Sequence, residues 1–222
     1  MKKIFLIVPL LLLSVVALQA HATTPLTGKI IALDAGHGGG EVGATGYCGD
    51  IPVLEVDVNI AVRAELAQKI TDAEGIPYDV KPLSSRSDRV ADAESAGSEV
   101  LISIHHNGSS NTAADYTQSF VTQRNDKEFA KYIHPLLVAA LGLDDHGIKN
   151  DGYGMTVYGS LPGILTEAYF ITNETAACDF LDYQAGVADT RVHKEAQALY
   201  DGLVAYFTQT TSGGGSGKGR NK

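Results

Sequence analysis

The chain has 222 residues, of which 44% are hydrophobic, and a formal net charge of −9 at pH 7. This length predicts a single domain with short additional segments. Because an acidic protein repels phosphate backbones, the charge argues against nucleic acid as a partner, but it says little about other substrates.

The first 22 residues are predicted to be a secretory signal peptide that is not part of the fold. Lys2 and Lys3 precede an apolar run, and the small residues Ala20 and Ala22 follow that run. The alternative is a membrane anchor, but the run is short for a bilayer span and a cleavage site follows it. We expect cleavage after Ala22, export to the periplasm or alternatively to the extracellular space, and no stable membrane anchor in the mature protein.

Alternating strand and helix patterns predict an α/β domain over residues 28–208, after a short N-terminal segment at 23–27. Residues 209–222 are rich in glycine and serine and end with basic residues, which predicts a disordered tail. In chain order the expected elements are a strand at 30–33, a helix at 54–74, a strand at 78–84, a helix at 88–97, strands at 99–106 and 115–123, a helix at 126–141, strands at 154–159 and 163–170, and a helix at 190–207.

Cys48 and Cys178 are the two cysteines of the chain. Export would place them in an oxidising compartment, where a disulfide can form between them. The sequence does not give the distance between their Cα atoms, so the pairing stays open at this point. Metal binding by these cysteines is disfavoured, because they lack the close spacing of a CxxC motif.

Three predicted strands carry polar groups that suit metal binding or acid–base chemistry. The first is followed by Asp34 and His37, the third ends in His105 and His106, and a late strand contains Glu167. In open α/β sheets, ligands bind at the carboxyl ends of the strands. Two histidines and a carboxylate are a common zinc-binding set that leaves one position for water.

Two glutamates could complete such a site. Glu55 begins a predicted helix and can return to the same sheet edge, although a glutamate in a first helical turn is usually solvated. Glu167 interrupts an apolar strand, where an unpaired carboxylate is costly, and it could act as a general base. The structural alternative is that Arg86 or Arg89 pairs with Glu167.

Four segments together resemble the zinc-dependent N-acetylmuramoyl-L-alanine amidases of the amidase_3 type, across roughly residues 28–207. They are IALDAGHGGGEVGATG, LEVDVN, LISIHHN and ILTEAYFITN, in this order. The resemblance implies a single α/β domain, with a mixed central sheet of about six strands and helices on both faces. It implies one Zn²⁺ ion and cleavage of the amide between N-acetylmuramic acid and L-alanine of the stem peptide. The partner would be peptidoglycan or muropeptides, and we expect a monomer.

Residue by residue, the resemblance assigns zinc binding to His37, Glu55 and His105 and catalysis to Glu167. It also matches Asn59 to an asparagine one helical turn after the glutamate ligand. Strand alternation agrees that only one of two adjacent histidines can easily face the metal.

His106 stands where the family usually has a small residue. It could line the cleft, stabilise an oxyanion or cover the sheet, and we favour either support of the metal ligands or a position at the surface. Asn107 and His146 are further candidates for substrate contact or support, and His146 replaces a usual arginine. We expect His134 and His193 to have no catalytic role. Tyr153 and Tyr158 could line a glycan groove, although ordinary packing is the expectation.

The segment between Asn107 and Glu167 is short and leaves little room for the inhibitory helix of division-associated relatives. We therefore expect an open site that needs no activator. The competing interpretations are another zinc hydrolase, such as a stem-peptide peptidase, a non-catalytic peptidoglycan-binding module, and an exported structural protein. The identity of the released fragment separates the first of these from an amidase.

Overall fold

The structure, a computed structural model, describes residues 23–150 and 152–213, with side chains through residue 210. The predicted signal peptide and residues 214–222 of the predicted tail lie outside this range. The described chain contains one six-stranded mixed sheet with helices on both faces, which confirms the predicted α/β fold.

Eight strands and five α-helices form this domain. The strands are β1 Ile30–Ala35, β2 Thr45–Cys48, β3 Ile51–Leu54, β4 Ile76–Asp79, β5 Val100–Asn107, β6 Tyr116–Phe120, β7 Asp144–Lys149 and β8 Gly163–Phe170. The helices are α1 Glu55–Asp72, α2 Arg86–Ser95, α3 Arg124–Leu141, α4 Glu174–Gln184 and α5 Arg191–Gly213, with a 3-10 helix at Gly154–Val157.

The central sheet has the strand order β4-β1-β5-β8-β6-β7. The first four strands run parallel, whereas β6 lies antiparallel to β8 and parallel to β7. The carboxyl ends of β1, β5 and β8 therefore meet at one edge of the sheet. The register of β5 and β8 places His105 directly beside Glu167 at that edge.

The two faces of the sheet are covered unequally. The main core contains buried residues of α1, α3 and α5, and the smaller core contains residues of α2 and the 3-10 helix. Side chains of β5 alternate between them: Ile102 and Ile104 enter the main core, and Leu101 enters the smaller core. His105 follows Leu101 in this alternation, and His106 follows Ile104 into the main core.

Both ends of the described chain are fastened to the domain. Leu26 is fully buried, and the Thr24 hydroxyl donates to the carbonyl of Ala73, just after α1. The predicted N-terminal segment 23–27 therefore packs on the domain. At the other end Phe207 of α5 is buried, and the Lys29 ammonium lies 5.3 Å from its ring centre.

Helix α5 runs past residue 208, the predicted end of the domain. Helix α5 continues to Gly213, so residues 209–213 of the predicted disordered tail are helical. The Thr208 hydroxyl donates to the Val204 carbonyl at 2.7 Å, and the Thr210 hydroxyl donates to the Phe207 carbonyl at 3.1 Å. The second of these bonds involves a residue of the segment whose glycine- and serine-rich composition predicts a disordered tail.

Several local predictions were wrong in position or type. The predicted strand at 154–159 is a 3-10 helix, because the Tyr158 amide folds back to the Met155 carbonyl. The predicted strand at 78–84 is β4, which ends at Asp79. The elements that the sequence did not predict are the hairpin of β2 and β3, the edge strand β7 and helix α4.

A disulfide joins Cys48 of β2 to Cys178 of α4, with a Cα–Cα distance of 4.8 Å. The open question of their pairing is thereby answered. The bond ties the hairpin of β2 and β3 to α4, and β3 leads directly into the first residue of α1. In the part of the chain that the structure describes, every helix is too short or too polar to cross a bilayer.

Candidate metal centre and active site

The loop after β1 presents His37 from a strained backbone. His37 has φ 68°, a left-handed conformation that is uncommon outside glycine. The Arg89 guanidinium donates to the His37 carbonyl and lies 2.9 Å from Asp34 Oδ1. Asp34 also accepts a 2.7 Å hydrogen bond from Ser103. Asp34 was considered above as a candidate for metal binding or acid–base chemistry. In the structure it binds Arg89, and Arg89 in turn holds the His37 loop.

Glu55 is the first residue of α1 and is 4% exposed. A carboxylate at this position is favoured by the helix dipole. Its Oε2 atom accepts a 2.9 Å hydrogen bond from the Ala44 amide, and its Oε1 atom accepts a 3.2 Å bond from the His106 amide. The backbone at two separate places therefore fixes the orientation of this carboxylate.

The structure brings the three predicted metal ligands together. Glu55 Oε1 lies 2.9 Å from His37 Nε2 and 3.1 Å from His105 Nδ1, and one ligand atom from each residue lies within 4.8 Å of the others. The second nitrogen of His37 lies 3.2 Å from Glu41 Oε1, an outer partner of the kind that metal-binding histidines usually have. This donor set could hold a metal ion, and two imidazoles with a carboxylate suit zinc.

Two glycines make room for this cluster. A Cβ atom at Gly36 would lie 2.3 Å from the ring of His105, and one at Gly43 would lie 2.4 Å from Glu55 Oε2. Neither distance is sterically allowed, so these loop positions need glycine if the imidazole and the carboxylate are to approach the backbone.

The cluster shifts the pKa values of its own members. Burial raises the pKa of Glu55, but hydrogen bonds from His105 and His37 lower it by more, and the net result is a strongly depressed pKa. The hydrogen bond to Glu55 raises the pKa of His37, and the charge of Glu55 adds to this. Protons and a metal ion would thus compete for the same nitrogen atoms.

Glu167 is a buried carboxyl group that forms no ion pair with any residue the structure describes. It is 8% exposed, and among the described residues its Oε2 atom has no hydrogen-bond partner. Burial raises the pKa of Glu167 to about 8, and the nearby charge of Glu55 adds to the effect. Arg89, one of the two arginines considered as its partner, pairs with Asp34 instead.

A cleft of about 280 Å³ opens beside the cluster. His37 and His105 form part of its wall, and Arg86 at the start of α2 and Tyr153 form another part. Arg86 is exposed and Tyr153 is 49% exposed, with its ring centre 4.8 Å from that of Phe120. Tyr153 thus packs against Phe120, as expected, and its ring also borders the cleft.

His106 points away from this cleft. It is buried in the main core, where Nδ1 lies 2.6 Å from Asn59 Oδ1 and Nε2 lies 2.8 Å from Glu195 Oε2. The expected surface position of His106 is wrong, because the residue is 1% exposed, and the alternatives in which it lines the cleft or stabilises an oxyanion do not fit this position either. Glu195 was missed by reasoning from the sequence, because a glutamate on a helix is usually exposed to solvent.

Asn107 and His146 are not brought into the cluster. The Asn107 side chain accepts a 2.9 Å hydrogen bond from the Gly108 amide, which ends β5. His146 lies on the edge strand β7, separated from β8 by β6, and stacks on Tyr116 with ring centres 3.6 Å apart. These positions add no support to the idea that Asn107 or His146 contacts the substrate or supports the site.

The remaining described histidines have structural partners. His134 is buried between Ser119 Oγ at 2.9 Å and Asp145 Oδ1 at 2.8 Å. His193 Nδ1 lies 2.8 Å from the Thr190 hydroxyl. These contacts agree with the expectation that neither histidine is catalytic.

Comparison with known proteins connects this geometry to a family. Residues 31–191 match the family model Amidase_3, described as N-acetylmuramoyl-L-alanine amidase. The chain is 33% identical over 204 residues to protein YqiI of Bacillus subtilis, and the match covers 86% of the chain and 90% of YqiI. It is 32% identical over 190 residues to the N-acetylmuramoyl-L-alanine amidase LytC of Bacillus subtilis, covering 82% of the chain but 36% of LytC.

Solved structures share the fold. The catalytic domain of CwlV, an N-acetylmuramoyl-L-alanine amidase from Bacillus (Paenibacillus) polymyxa var. colistinus, aligns with a TM-score of 0.72 and 24% identity over 81% of this chain and 98% of that domain. The N-acetylmuramoyl-L-alanine amidase AmiC2 of Nostoc punctiforme aligns with a TM-score of 0.71 and 19% identity over 82% of this chain and 99% of AmiC2.

Proposed function

Because the chain belongs to the Amidase_3 family of N-acetylmuramoyl-L-alanine amidases, we propose that it hydrolyses the amide bond between N-acetylmuramic acid and L-alanine of the peptidoglycan stem peptide. The observation that carries this proposal is the convergence of His37, Glu55 and His105 beside the buried Glu167. Peptidoglycan strands or free muropeptides are the substrates.

We assign one Zn²⁺ ion to the cluster, with His37, Glu55 and His105 as its ligands. Three protein ligands leave one coordination position open, as in catalytic zinc sites generally. When bound, the ion supplies a Lewis acid that lowers the pKa of a water molecule and polarises the amide carbonyl.

Glu167 is the general base and then the general acid. It accepts a proton from the attacking water, and it returns a proton to the amine nitrogen as the carbon–nitrogen bond breaks. The reaction consumes one water and forms the carboxyl group of the lactyl chain and the free amine of L-alanine. In the metal-free protein, burial raises the pKa of Glu167. The positive charge of a bound ion would lower this pKa again, toward the range in which the carboxylate can accept a proton from water.

The site is proposed to be active without an activator. The longest helix between β5 and β8 is α3, and it packs against α5 on the face of the sheet opposite to His105. This arrangement keeps α3 away from the cleft. A basal rate that rises strongly when a partner protein is added would contradict this part of the proposal.

We further propose an exported monomer that is cleaved after Ala22 and keeps no membrane anchor. The periplasm is the first compartment to test, and the extracellular space is the second. The Cys48–Cys178 disulfide supports an oxidising compartment. Intact mass of the protein from each cell fraction gives the cleavage site and the compartment, and light scattering gives the oligomeric state.

Mass spectrometry of muropeptides after digestion of purified peptidoglycan tests the activity. We expect free stem peptides that begin at L-alanine, together with uncleaved glycan strands that have lost their peptides. With a chelator the peptides should stay attached to the glycan, and added Zn²⁺ should restore their release. Cleavage inside the stem peptide would replace the amidase by a peptidase. Zinc-loaded protein that releases no fragment would contradict both activities and favour a binding module.

A further inference from the structure

A series of buried polar side chains links α5 to the cluster of candidate metal ligands. These side chains lie on the face of the sheet that carries the main core. His106 lies between Glu195 of α5 and Asn59 of α1, at 2.8 and 2.6 Å, and the side chains of His106 and Glu195 are 0% exposed. Asn59 is itself fully buried. This chain of groups is not used by the reaction described above.

The partners of Asn59 determine its orientation. Its amide nitrogen donates to the Gly36 carbonyl at 3.1 Å and lies 3.5 Å from Glu55 Oε1. Since a carbonyl accepts only, the amide oxygen of Asn59 must face His106. The Nδ1 atom of His106 therefore carries a proton and donates it to Asn59.

His106 also contacts the cluster directly, through its backbone amide. The His106 amide donates to Glu55 Oε1 at 3.2 Å, so the position of this residue bears on Glu55 directly and through Asn59. The Gly36 carbonyl, which Asn59 holds, immediately precedes His37. Two of the three candidate metal ligands thus depend on contacts made by Asn59 and His106.

Packing alone does not account for the pair of His106 and Glu195. Among the described residues, Glu195 Oε1 is buried without a hydrogen-bond partner, so the carboxyl group keeps part of its desolvation cost. An apolar pair of similar volume would fill this space as stably or more stably. It would not supply a donor to Asn59 Oδ1.

We propose that Glu195 and His106 are positioning residues that hold the Asn59 amide in one orientation. In this orientation Asn59 keeps Glu55 and the His37 loop in the positions in which they can bind the metal ion. Glu195 fixes the imidazole of His106, and the imidazole fixes Asn59. The inference rests on the proposed function, because it requires that the cluster binds Zn²⁺.

The test is the double variant H106L/E195L, which replaces both partners by apolar groups and so avoids an unpaired buried charge. Zn²⁺ affinity is measured by competition with a chromophoric chelator, and the absorption spectrum of the Co²⁺-substituted protein reports the ligand geometry. We expect zinc affinity about 10- to 100-fold weaker than in the wild type, with an altered Co²⁺ spectrum.

Two further variants separate positioning from stability. E195Q keeps a polar partner for His106, and we expect a zinc affinity within about threefold of the wild type. The matched control S119A/H134L removes another buried pair with a histidine, between β6 and α3, whose hydrogen bonds do not involve the metal ligands. We expect this control to lower Tm while leaving the zinc affinity and the Co²⁺ spectrum unchanged.

A wild-type zinc affinity and spectrum in H106L/E195L would overturn the inference and leave a purely structural pair. If the wild-type protein itself binds no zinc, the proposed function fails first and the inference fails with it. If the double variant does not fold, nitrogen-15 NMR of histidine-labelled wild-type protein in its zinc form decides. The inference requires a protonated Nδ1 on His106, and an unprotonated Nδ1 would overturn it.

Discussion

Glu167 lies beside His105 in the register of β8 and β5, and among the described residues its Oε2 atom accepts no hydrogen bond. A buried carboxyl group in this state is costly to the fold, and its neighbour His105 is one of the two imidazoles that contact Glu55 Oε1. Such a cost at a sheet edge is expected where a group is kept available for chemistry.

Replacing Glu167 by glutamine is expected to leave zinc bound and to lower kcat by roughly 10²- to 10⁴-fold, because the amide cannot take a proton from water. The measurements are muropeptide turnover and zinc content by elemental mass spectrometry. The control is E128Q on α3, which makes the same change at an exposed residue. A fully active E167Q enzyme would remove Glu167 from the mechanism.

The metal-free protein is expected to lose stability as pH rises, because of Glu167. Its folded-state pKa of about 8 lies above the unfolded value of about 4.5, so between these values the unfolded state alone releases the proton. The contribution is complete below pH 4.5 and is lost progressively up to pH 8, and it amounts to roughly 3–5 kcal/mol.

Urea unfolding of metal-free wild-type protein and metal-free E167Q checks this expectation at several pH values. The stability of E167Q relative to the wild type should increase from pH 5 to pH 8 and then level off. If the free energies of unfolding of the two proteins differ by the same amount at every pH in this range, Glu167 ionises normally in the folded protein.

Replacing His37 or His105 by alanine is expected to weaken zinc binding by more than about 100-fold, since each removes a metal ligand and not only an outer partner. Added Zn²⁺ should raise Tm of the wild type, because it binds the folded state alone, and should leave Tm of either variant unchanged. H193A serves as the control and should bind zinc normally. Stoichiometric zinc in both ligand variants would refute the assigned ligand set.

Removing the disulfide with C48A/C178A is expected to lower the free energy of unfolding by about 2–5 kcal/mol, since the bond closes a long loop in the unfolded chain. Denaturant unfolding with and without a reductant measures the effect. The reductant should destabilise the wild type and leave the double variant unaffected. Equal stabilities of the two proteins would mean that the bond does not form in solution.

The sequence predicted the parts of the fold whose patterns are strong. The strand with Glu167 and the strand with both histidines were predicted within one residue, because both are buried apolar runs. Strand β7 was missed, because an exposed edge strand of sequence DDHGIK carries no apolar pattern. The hairpin of β2 and β3 was also missed, although its two-residue Gly49–Asp50 loop is a recognisable turn signal.

The site, like the fold, could be predicted only in part, but the reason is different. Each proposed ligand lies in a motif of its own, so the resemblance could identify His37, Glu55 and His105 separately. The pairs of Asp34 with Arg89 and of His106 with Glu195 join residues that are far apart in the chain. No local pattern encodes such pairs, and they became visible only when the sheet and its helices were assembled.

The two ends of the described chain lie on the same side of the domain, away from the cluster of candidate metal ligands. Helix α1 starts at the cluster, and its 18 residues carry the chain about 27 Å away to Ala73, where Thr24 and Leu26 are held. Helix α5 starts beside His106 and runs to the same side, where Phe207 meets Lys29. Both ends of the described chain therefore lie away from the edge with Glu167, and neither of them obstructs the approach of a long glycan strand.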